Sequence, residues 1–434
     1  MSSDAILERF RLGYGKDIDL TLRPAYHDLL AKLGDPQNHL PPVFHVAGTN
    51  GKGSTCAFLR AILESAGYSI HVYTSPHLVS FHERIRIAGK LIEECELTEI
   101  LTACESYALP GGVSYFEAST AAAFVAFART KADFTILETG LGGRLDATNV
   151  VENPLATLIT RLSYDHREYL GDTIEQIARE KAGIMRQGVP SFVSAQKSQA
   201  ALQTLRNAAA SLGAPLYLEG EDWKIESFGK GFRWTSLKGL ERSYDLPSPA
   251  LLGSHQYQNA GLALAALGVL KCSLPLSTLA RAMQEVSWPA RLQRLTQGRL
   301  ASLVPDNAEL WLDGGHNDSA GEVLALQIDR WRQEDGANIK PLFIVLGMLT
   351  TKNPAEFLAP FAKHVAQLRG VAIPHEPLSF TALALSDEAR KLGIEAKASA
   401  NIREAIEGLG NKGDARILIC GSLYLAGHVL ALNA

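Results

Sequence analysis

The chain has 434 residues, 46% of them hydrophobic and 20% charged, with a formal net charge of −4. That length favours roughly two or three domains and can bury a substantial core. The near-neutral balance, without a basic stripe or polybasic run, argues against nucleic acid or a membrane as partner. The five cysteines (Cys56, Cys95, Cys104, Cys272, Cys420) form no Cys-x-x-Cys pair, which argues against a zinc site or disulfide framework and fits a reducing compartment. The charged N-terminus MSSDAILERF lacks the apolar stretch of a signal peptide, and no run reaches membrane-spanning length. A cytoplasmic location is expected.

In chain order, Val43–Ala47 reads as a buried strand and Ser54–Ala66 as a helix stopped by Gly67. Between them runs HVAGTNGKGST, His45 to Thr55, a glycine-rich loop carrying a lysine. Such a loop turns backbone N–H groups toward phosphates. Lys52 can reach the terminal phosphates, and Ser54 or Thr55 could contact Mg²⁺. The match to G-x-x-x-x-G-K-[ST] is imperfect: Val46 takes the outer glycine position, and Gly53 separates Lys52 from Ser54. Ile70–Thr74, Phe134–Glu138 and Leu155–Thr160 read as further strands, with helical patterns at Phe116–Thr130 and Thr173–Met185. This alternation predicts a mostly parallel sheet with covering helices.

Ligands bind such sheets beyond the carboxyl ends of the strands. Ser75 follows the second strand, Glu138 ends the third, and Asp165-His166 follows the fourth. A hydroxyl, a carboxylate and an imidazole are therefore expected to converge on one metal. The oxygens suit Mg²⁺, whereas imidazole is more usual for zinc. Thr173 and Gln176 form a capping-box pattern, and Lys181 lies on the Ile174/Ile177 face, which ought to be buried. Burial lowers a lysine's pKa. A neutral amine can take up CO₂ as a carbamate, an anionic oxygen ligand for a second metal. On spacing alone, the alternative is a lysine that snorkels to water or pairs with a carboxylate.

Leu216–Pro249, richer in aromatic and charged residues, reads as a small antiparallel excursion. Helices return at Gln258–Leu270 and Leu276–Val286. Trp288-Pro289-Ala290-Arg291 then interrupts the pattern, which places the main domain boundary between 1–289 and 290–434. Beyond it, Glu309–Leu312, Leu342–Leu346, Gly370–Ile373 and Arg416–Cys420 read as strands and Leu423–Leu432 as a last helix. The expected fold class is α/β: an N-terminal P-loop-type, mostly parallel sheet domain with a small antiparallel excursion, and a smaller Rossmann-like C-terminal domain.

The ordered motifs VAGTNGKGST, TSPHLVSFHERIRI, FEASTAAAF, ILETGLGGRLDATNVV, DHREYLGDTIEQIAREKAGI, HQYQNAGLALAAL, LDGGHN, GMLTTKN and GSLYLAG carry a family resemblance. Over nearly its whole length the sequence resembles bacterial folylpolyglutamate synthases of the bifunctional dihydrofolate synthase type, within the Mur ligase superfamily. GLGGRLDATN with REKAGI separates this family from its Mur relatives. The resemblance implies an ATP-binding Mur-like domain, then a C-terminal glutamate-ligase domain. It implies ATP and Mg²⁺, at two sites, as cofactors. Dihydropteroate or folate, L-glutamate and ATP would be the small-molecule substrates of a monomer. The implied reaction activates a carboxylate as an acyl phosphate, which the glutamate amine attacks, and the linker at the boundary is an expected hinge.

Residue by residue, the resemblance implies metal-binding roles for Ser75, Glu138, His166 and a carbamylated Lys181. Thr49, Asn50, Gly51, Lys52, Gly53 and Ser54 match the nucleotide-phosphate loop, and Asn259, Arg291 and Asp313 match nucleotide contacts. The pterin side of the substrate is expected near Tyr14, Gly15, Lys16, Asp17, Tyr115, Phe116, Glu117, Leu145, Asp146 and Ala147. His316, with Lys52 and Lys181, is implied at the reaction centre. Departures from the family pattern fall at Ala290 (usually glycine), Asp318 (proline), Thr351 and Asn353 (acids) and Arg167 (often threonine). A monofunctional polyglutamate synthase, a Mur-type peptidoglycan ligase and a nucleotide-binding regulatory module are the competing readings.

Overall fold

A computed structural model describes residues 2–15, 24–238, 242–270, 274–410 and 413–434. The chain divides into two compact units, Met1–Ala250 with Tyr257–Val286, and Leu251–Gln256 with Ser287–Ala434.

The first unit is built on an eight-stranded sheet. Its strands are β1 (Val43–Ala47), β2 (Ile70–Tyr73), β3 (Ile85–Ile87), β4 (Lys90–Leu91), β5 (Phe134–Glu138), β6 (Ala156–Ile159), β7 (Ser191–Val193) and β8 (Leu216–Leu218). They lie in the order β4-β3-β2-β5-β1-β6-β7-β8. β2 through β8 pair in parallel along that order, while β3 and β4 form an antiparallel edge. Every residue of β1 is buried, as a central parallel strand covered on both faces requires. Val46 pairs with Glu138 and Ala47 with Ile159, so the carboxyl ends of β5, β1 and β6 are level neighbours. One face packs against helix Tyr115–Arg129, whose run from Glu117 to Phe127 is buried throughout. Its alanines let the backbone approach the sheet while Phe124 and Phe127 fill the core with Leu101 and Ile6.

A separate three-stranded antiparallel sheet follows: β9 (Trp223–Phe228), β10 (Gly231–Ser236) and β11 (Ser243–Pro247). The excursion is thus shorter than expected, because Leu216–Leu218 pairs in parallel with Ser191–Val193 and belongs to the main sheet. Sequence periodicity missed β7, since three residues are too few to show a period.

The second unit holds a six-stranded sheet in the order β12-β13-β17-β14-β15-β16. These strands are β12 (Gln293–Arg294), β13 (Glu309–Leu312), β14 (Leu342–Leu346), β15 (Val365–Gly370), β16 (Ala396–Ala398) and β17 (Arg416–Cys420). All pairs are parallel except β12 with β13. The strand expected over Gly370–Ile373 lies earlier in the chain, at β15. Its polar residues Gln367 and Arg369 masked it, and the apolar Val371 and Ile373 lie beyond its end. Among the described residues, no helix is long and apolar enough to cross a membrane.

Candidate active site

The strand order places four loops side by side at one sheet edge, those following β2, β5, β1 and β6. The loop after β1 turns into helix Lys52–Ser65 through Gly51, the helix N-cap, at φ +90°. A Cβ at Gly51 would collide with Asn259 Oδ1, and one at Gly48 with the Thr160 side chain. Only glycine fits either position, by backbone angle and by space. The loop is held from the neighbouring β6 side. The Arg161 carbonyl accepts from Thr49 N (3.2 Å) and Asn50 N (3.3 Å). Thr49 Oγ1 donates to the Ser163 carbonyl at 3.1 Å, and Asn50 Nδ2 to Ser163 Oγ at 3.1 Å. Lys52 Nζ lies 3.4 Å from the Thr49 carbonyl, so the ammonium folds over the loop. Gly53, Ser54 and Thr55 are buried in the first helical turn, and the Thr55 hydroxyl has no hydrogen-bond partner. The helix begins at Lys52, earlier than the expected Ser54, which puts the helix N-terminus at the loop itself.

Lys181 reaches this loop from another direction. Thr173 and Gln176 do form a capping box on helix Ile174–Ala182. Lys181 is 4% exposed and donates to the Gly48 carbonyl at 2.8 Å. It neither snorkels nor relies on a carboxylate, because the phosphate loop itself supplies its acceptor. Burial, with the Lys52 charge adding to it, pulls the amine down to about 7.

The turn after β5 explains why GLGGRLDATN and REKAGI belong together. Arg144 N donates to the Glu180 carbonyl at 2.8 Å, and a Cβ on Gly143 would come within 2.8 Å of that oxygen. A Cβ on Gly183 would collide with Arg144. Asn149 Nδ2 bonds the carbonyls of both Arg144 and Gly183 at 3.0 Å. Two glycines and an asparagine thus seat the Lys181 helix against the turn.

Of the expected metal residues, the structure brings two together: Ser75 N donates to Glu138 Oε2 at 3.2 Å, and Glu138 is 4% exposed. His166 sits at φ +50° with its N–H on Asp165 Oδ1 at 2.9 Å. Among the described residues, no three His, Cys, Asp or Glu side chains group to hold a metal. The donors nevertheless fit a hard cation. Mg²⁺ takes one or two carboxylates and completes its shell with phosphate oxygens and water.

Among the expected substrate residues, Tyr14 ends helix Ser3–Tyr14 and Gly15 caps it at φ +70°. Lys16 and Asp17 lie outside the described residues. Tyr115, Phe116 and Glu117 open the alanine-rich helix. Glu117 is committed to a capping box, accepting from Ser114 N at 2.9 Å, a Ser-x-x-Glu signal visible in the sequence. Phe116 closes over Gly140, where a Cβ would meet its ring. Leu145 is half-buried, while Asp146 and Ala147 are buried. Asp146 accepts from Leu141 N (2.9 Å), Thr148 N (3.0 Å) and Thr148 Oγ1 (2.6 Å).

In the second unit, Asp313 follows β13 and accepts from Leu292 N (2.8 Å) and Gly315 N (2.7 Å). Burial pushes its carboxyl up, and the Arg291 charge opposes this. Arg291 Nη1 donates to the Ala290 carbonyl at 2.9 Å, and His316 Nδ1 lies 3.1 Å from the Gly314 carbonyl. Four of the five departures from the family pattern have local explanations, and nothing in the structure explains Thr351. Ala290 sits at φ +57°, a left-handed position suited to the usual glycine. Asp318 occupies the first helical position, where proline is also favoured, and its charge suits a helix N-terminus. Asn353 caps helix Pro354–Leu358 through Ala355 N and Glu356 N, as an acid would. Arg167 lies over the Tyr164 ring.

A glycine-rich loop opening a helix at the carboxyl edge of a parallel sheet, with a lysine inside it, defines the class of phosphate-loop α/β enzymes. Comparison with known proteins narrows the class. A family model described as the Mur ligase middle domain matches residues 46–267, and the dihydrofolate synthetase C-terminal domain matches residues 296–432. The dihydrofolate synthase/folylpolyglutamate synthase of Bacillus subtilis is 40% identical over 311 residues, covering 68% of this chain and 69% of that protein. An E. coli enzyme solved with DHPP and ADP superposes with TM-score 0.86 at 30% identity, covering 99% of this chain and 97% of that one. A bifunctional folylpolyglutamate synthase/dihydrofolate synthase solved with Mn, AMPPNP and L-glutamate gives TM-score 0.83 at 31% identity, covering 99% and 98%. The chain belongs to the dihydrofolate synthase/folylpolyglutamate synthase family of Mur-type ligases, and as such is an ATP-dependent acid–amino-acid ligase.

Proposed function

We propose that the chain joins L-glutamate to dihydropteroate, giving dihydrofolate, and extends folyl-glutamates by the same chemistry. One observation supports the site assignment above the others: the buried Lys181 amine on the Gly48 carbonyl, which ties a titratable nitrogen to the phosphate loop. A carboxylate is a poor electrophile, so the acid oxygen first attacks the γ-phosphate of ATP. An acyl phosphate and ADP result. The glutamate amine then attacks the acyl carbon, loses its proton, and phosphate leaves.

In this reading the loop Thr49–Ser54 cradles the phosphates: Arg161 holds the Thr49 and Asn50 N–H groups, the N–H groups at the helix start align the phosphates, and Lys52 offsets charge on the transferring group. Ser75, Glu138 and His166 would hold one metal, and a carbamate on Lys181 a second. Bound there, Mg²⁺ would supply Lewis-acid charge neutralisation at the phosphoryl oxygens. Asn259, Arg291 and Asp313 contact the nucleotide, and His316 lies at the reaction centre beside the incoming glutamate. Residues 1–289 form the ATP-binding domain and 290–434 the glutamate-ligase domain, in a cytoplasmic monomer.

The experiment is glutamate-dependent ADP release, measured first with dihydropteroate and then with a reduced folate. Release with both acids is expected. Release with the reduced folate alone would leave a monofunctional polyglutamate synthase, and release with neither would overturn the substrate assignment.

A further inference from the structure

The first residue of the phosphate-loop motif, His45, has no part in the chemistry above. It lies in the middle of β1, is fully buried, and precedes the loop glycine by three residues. Its Nε2 lies 2.8 Å from Thr148 Oγ1, 103 residues away in sequence. Thr148 Oγ1 in turn lies 2.6 Å from Asp146 Oδ1. An ionised carboxylate only accepts, so the single threonine proton goes to Asp146. His45 must then donate from Nε2, which leaves Nδ1 as the unprotonated nitrogen. That nitrogen is buried without a hydrogen-bond partner.

A buried polar atom with no partner is a cost, of about 1–3 kcal/mol. The neighbouring β1 residues Phe44 and Val46 incur none, and an aliphatic side chain at 45 would also avoid it. Strand stability alone therefore does not account for histidine here. Its donor does. Asp146 organises the turn by accepting from Leu141 N and Thr148 N, and Tyr26 anchors the next residue through the Ala147 carbonyl at 3.1 Å.

We propose that His45 is a positioning residue for ligation: acting through Thr148 and Asp146, it locks the substrate turn 140–147 onto the strand that carries the phosphate loop. The substrate acid and the ATP γ-phosphate are thereby held in one register. This rests on the reading that turn 140–147 borders the folate-type acid.

The test is steady-state kinetics of the full chain with each substrate varied. His45→Leu is expected to raise KM for dihydropteroate by about tenfold or more, with KM for ATP changing less than about twofold. His45→Gln places an amide N–H near the lost Nε2–H and should recover most of that increase. Thr148→Val should reproduce the His45→Leu pattern, and it serves alone if His45→Leu does not fold. Equal losses for ATP and dihydropteroate, or a glutamine variant no better than leucine, would overturn the proposal. Asp146→Asn separates the two levels. If it leaves the dihydropteroate KM unchanged, the substrate-turn reading itself fails. If it raises that KM while Thr148→Val does not, only the relay fails.

Discussion

Lys181 carries the chemistry that ordinary packing would avoid. Its amine is buried on a loop carbonyl and pulled down to about 7, so a large fraction is neutral and nucleophilic near neutral pH. If a carbamate on it serves the metal, Lys181→Ala should lose activity, and added short carboxylates should restore part of it. Undiminished activity without any added carboxylate would sink that role. His45 is shifted in the same direction and by the same cause. Burial holds its imidazole down at about 3, against an ordinary 6.5. Between those values the unfolded chain binds a proton that the native state refuses, so stability falls as pH drops from 6.5 toward 3. Above 6.5 the residue adds no slope. Urea titrations of wild type and His45→Gln should diverge below pH 6.5, the wild type losing up to ~1.4 kcal/mol more per pH unit. Parallel curves would contradict the assignment.

At the level of elements, the site is a set of glycine-permitted close approaches. Gly51 and Gly67 have almost the same backbone angle, φ +90° and +92°. A Cβ at Gly67 meets nothing, whereas one at Gly51 strikes Asn259. Gly67→Ala should therefore cost about 1–2 kcal/mol of stability and leave nucleotide affinity intact. Gly51→Ala should weaken ADP binding by at least about tenfold, as titration calorimetry would show. Equal behaviour of the two variants would refute the loop geometry. The same contrast explains what could be read from sequence. The phosphate loop, the Lys181 helix and the strand ends were legible because periodicity, capping pairs and glycines are local signals. The Arg161 carbonyl that braces the loop and the Thr148 partner of His45 were not, because each pairs residues more than a hundred positions apart. β15 was misplaced because Gln367 and Arg369 interrupt its apolar character, although the strand is paired on both sides.

Across the whole molecule, both units use one architectural rule: polar groups gather where parallel strands end. In the first unit that edge carries the phosphate loop, Glu138 and Lys181; in the second, Asp313 directly follows its strand, beside Gly314 and Gly315. The folate-type acid and glutamate were not legible from patterning; family kinship supplied them, and the turn seating the Lys181 helix gives that kinship a physical basis. The central claim is that ATP activates the acid as an acyl phosphate before glutamate attacks. Positional isotope transfer tests it most directly: dihydropteroate labelled with ¹⁸O in its carboxyl group, turned over with ATP and glutamate, with the released phosphate analysed by mass. The account predicts one labelled oxygen in each inorganic phosphate formed with an amide bond. Phosphate that carries no label while amide accumulates would contradict it.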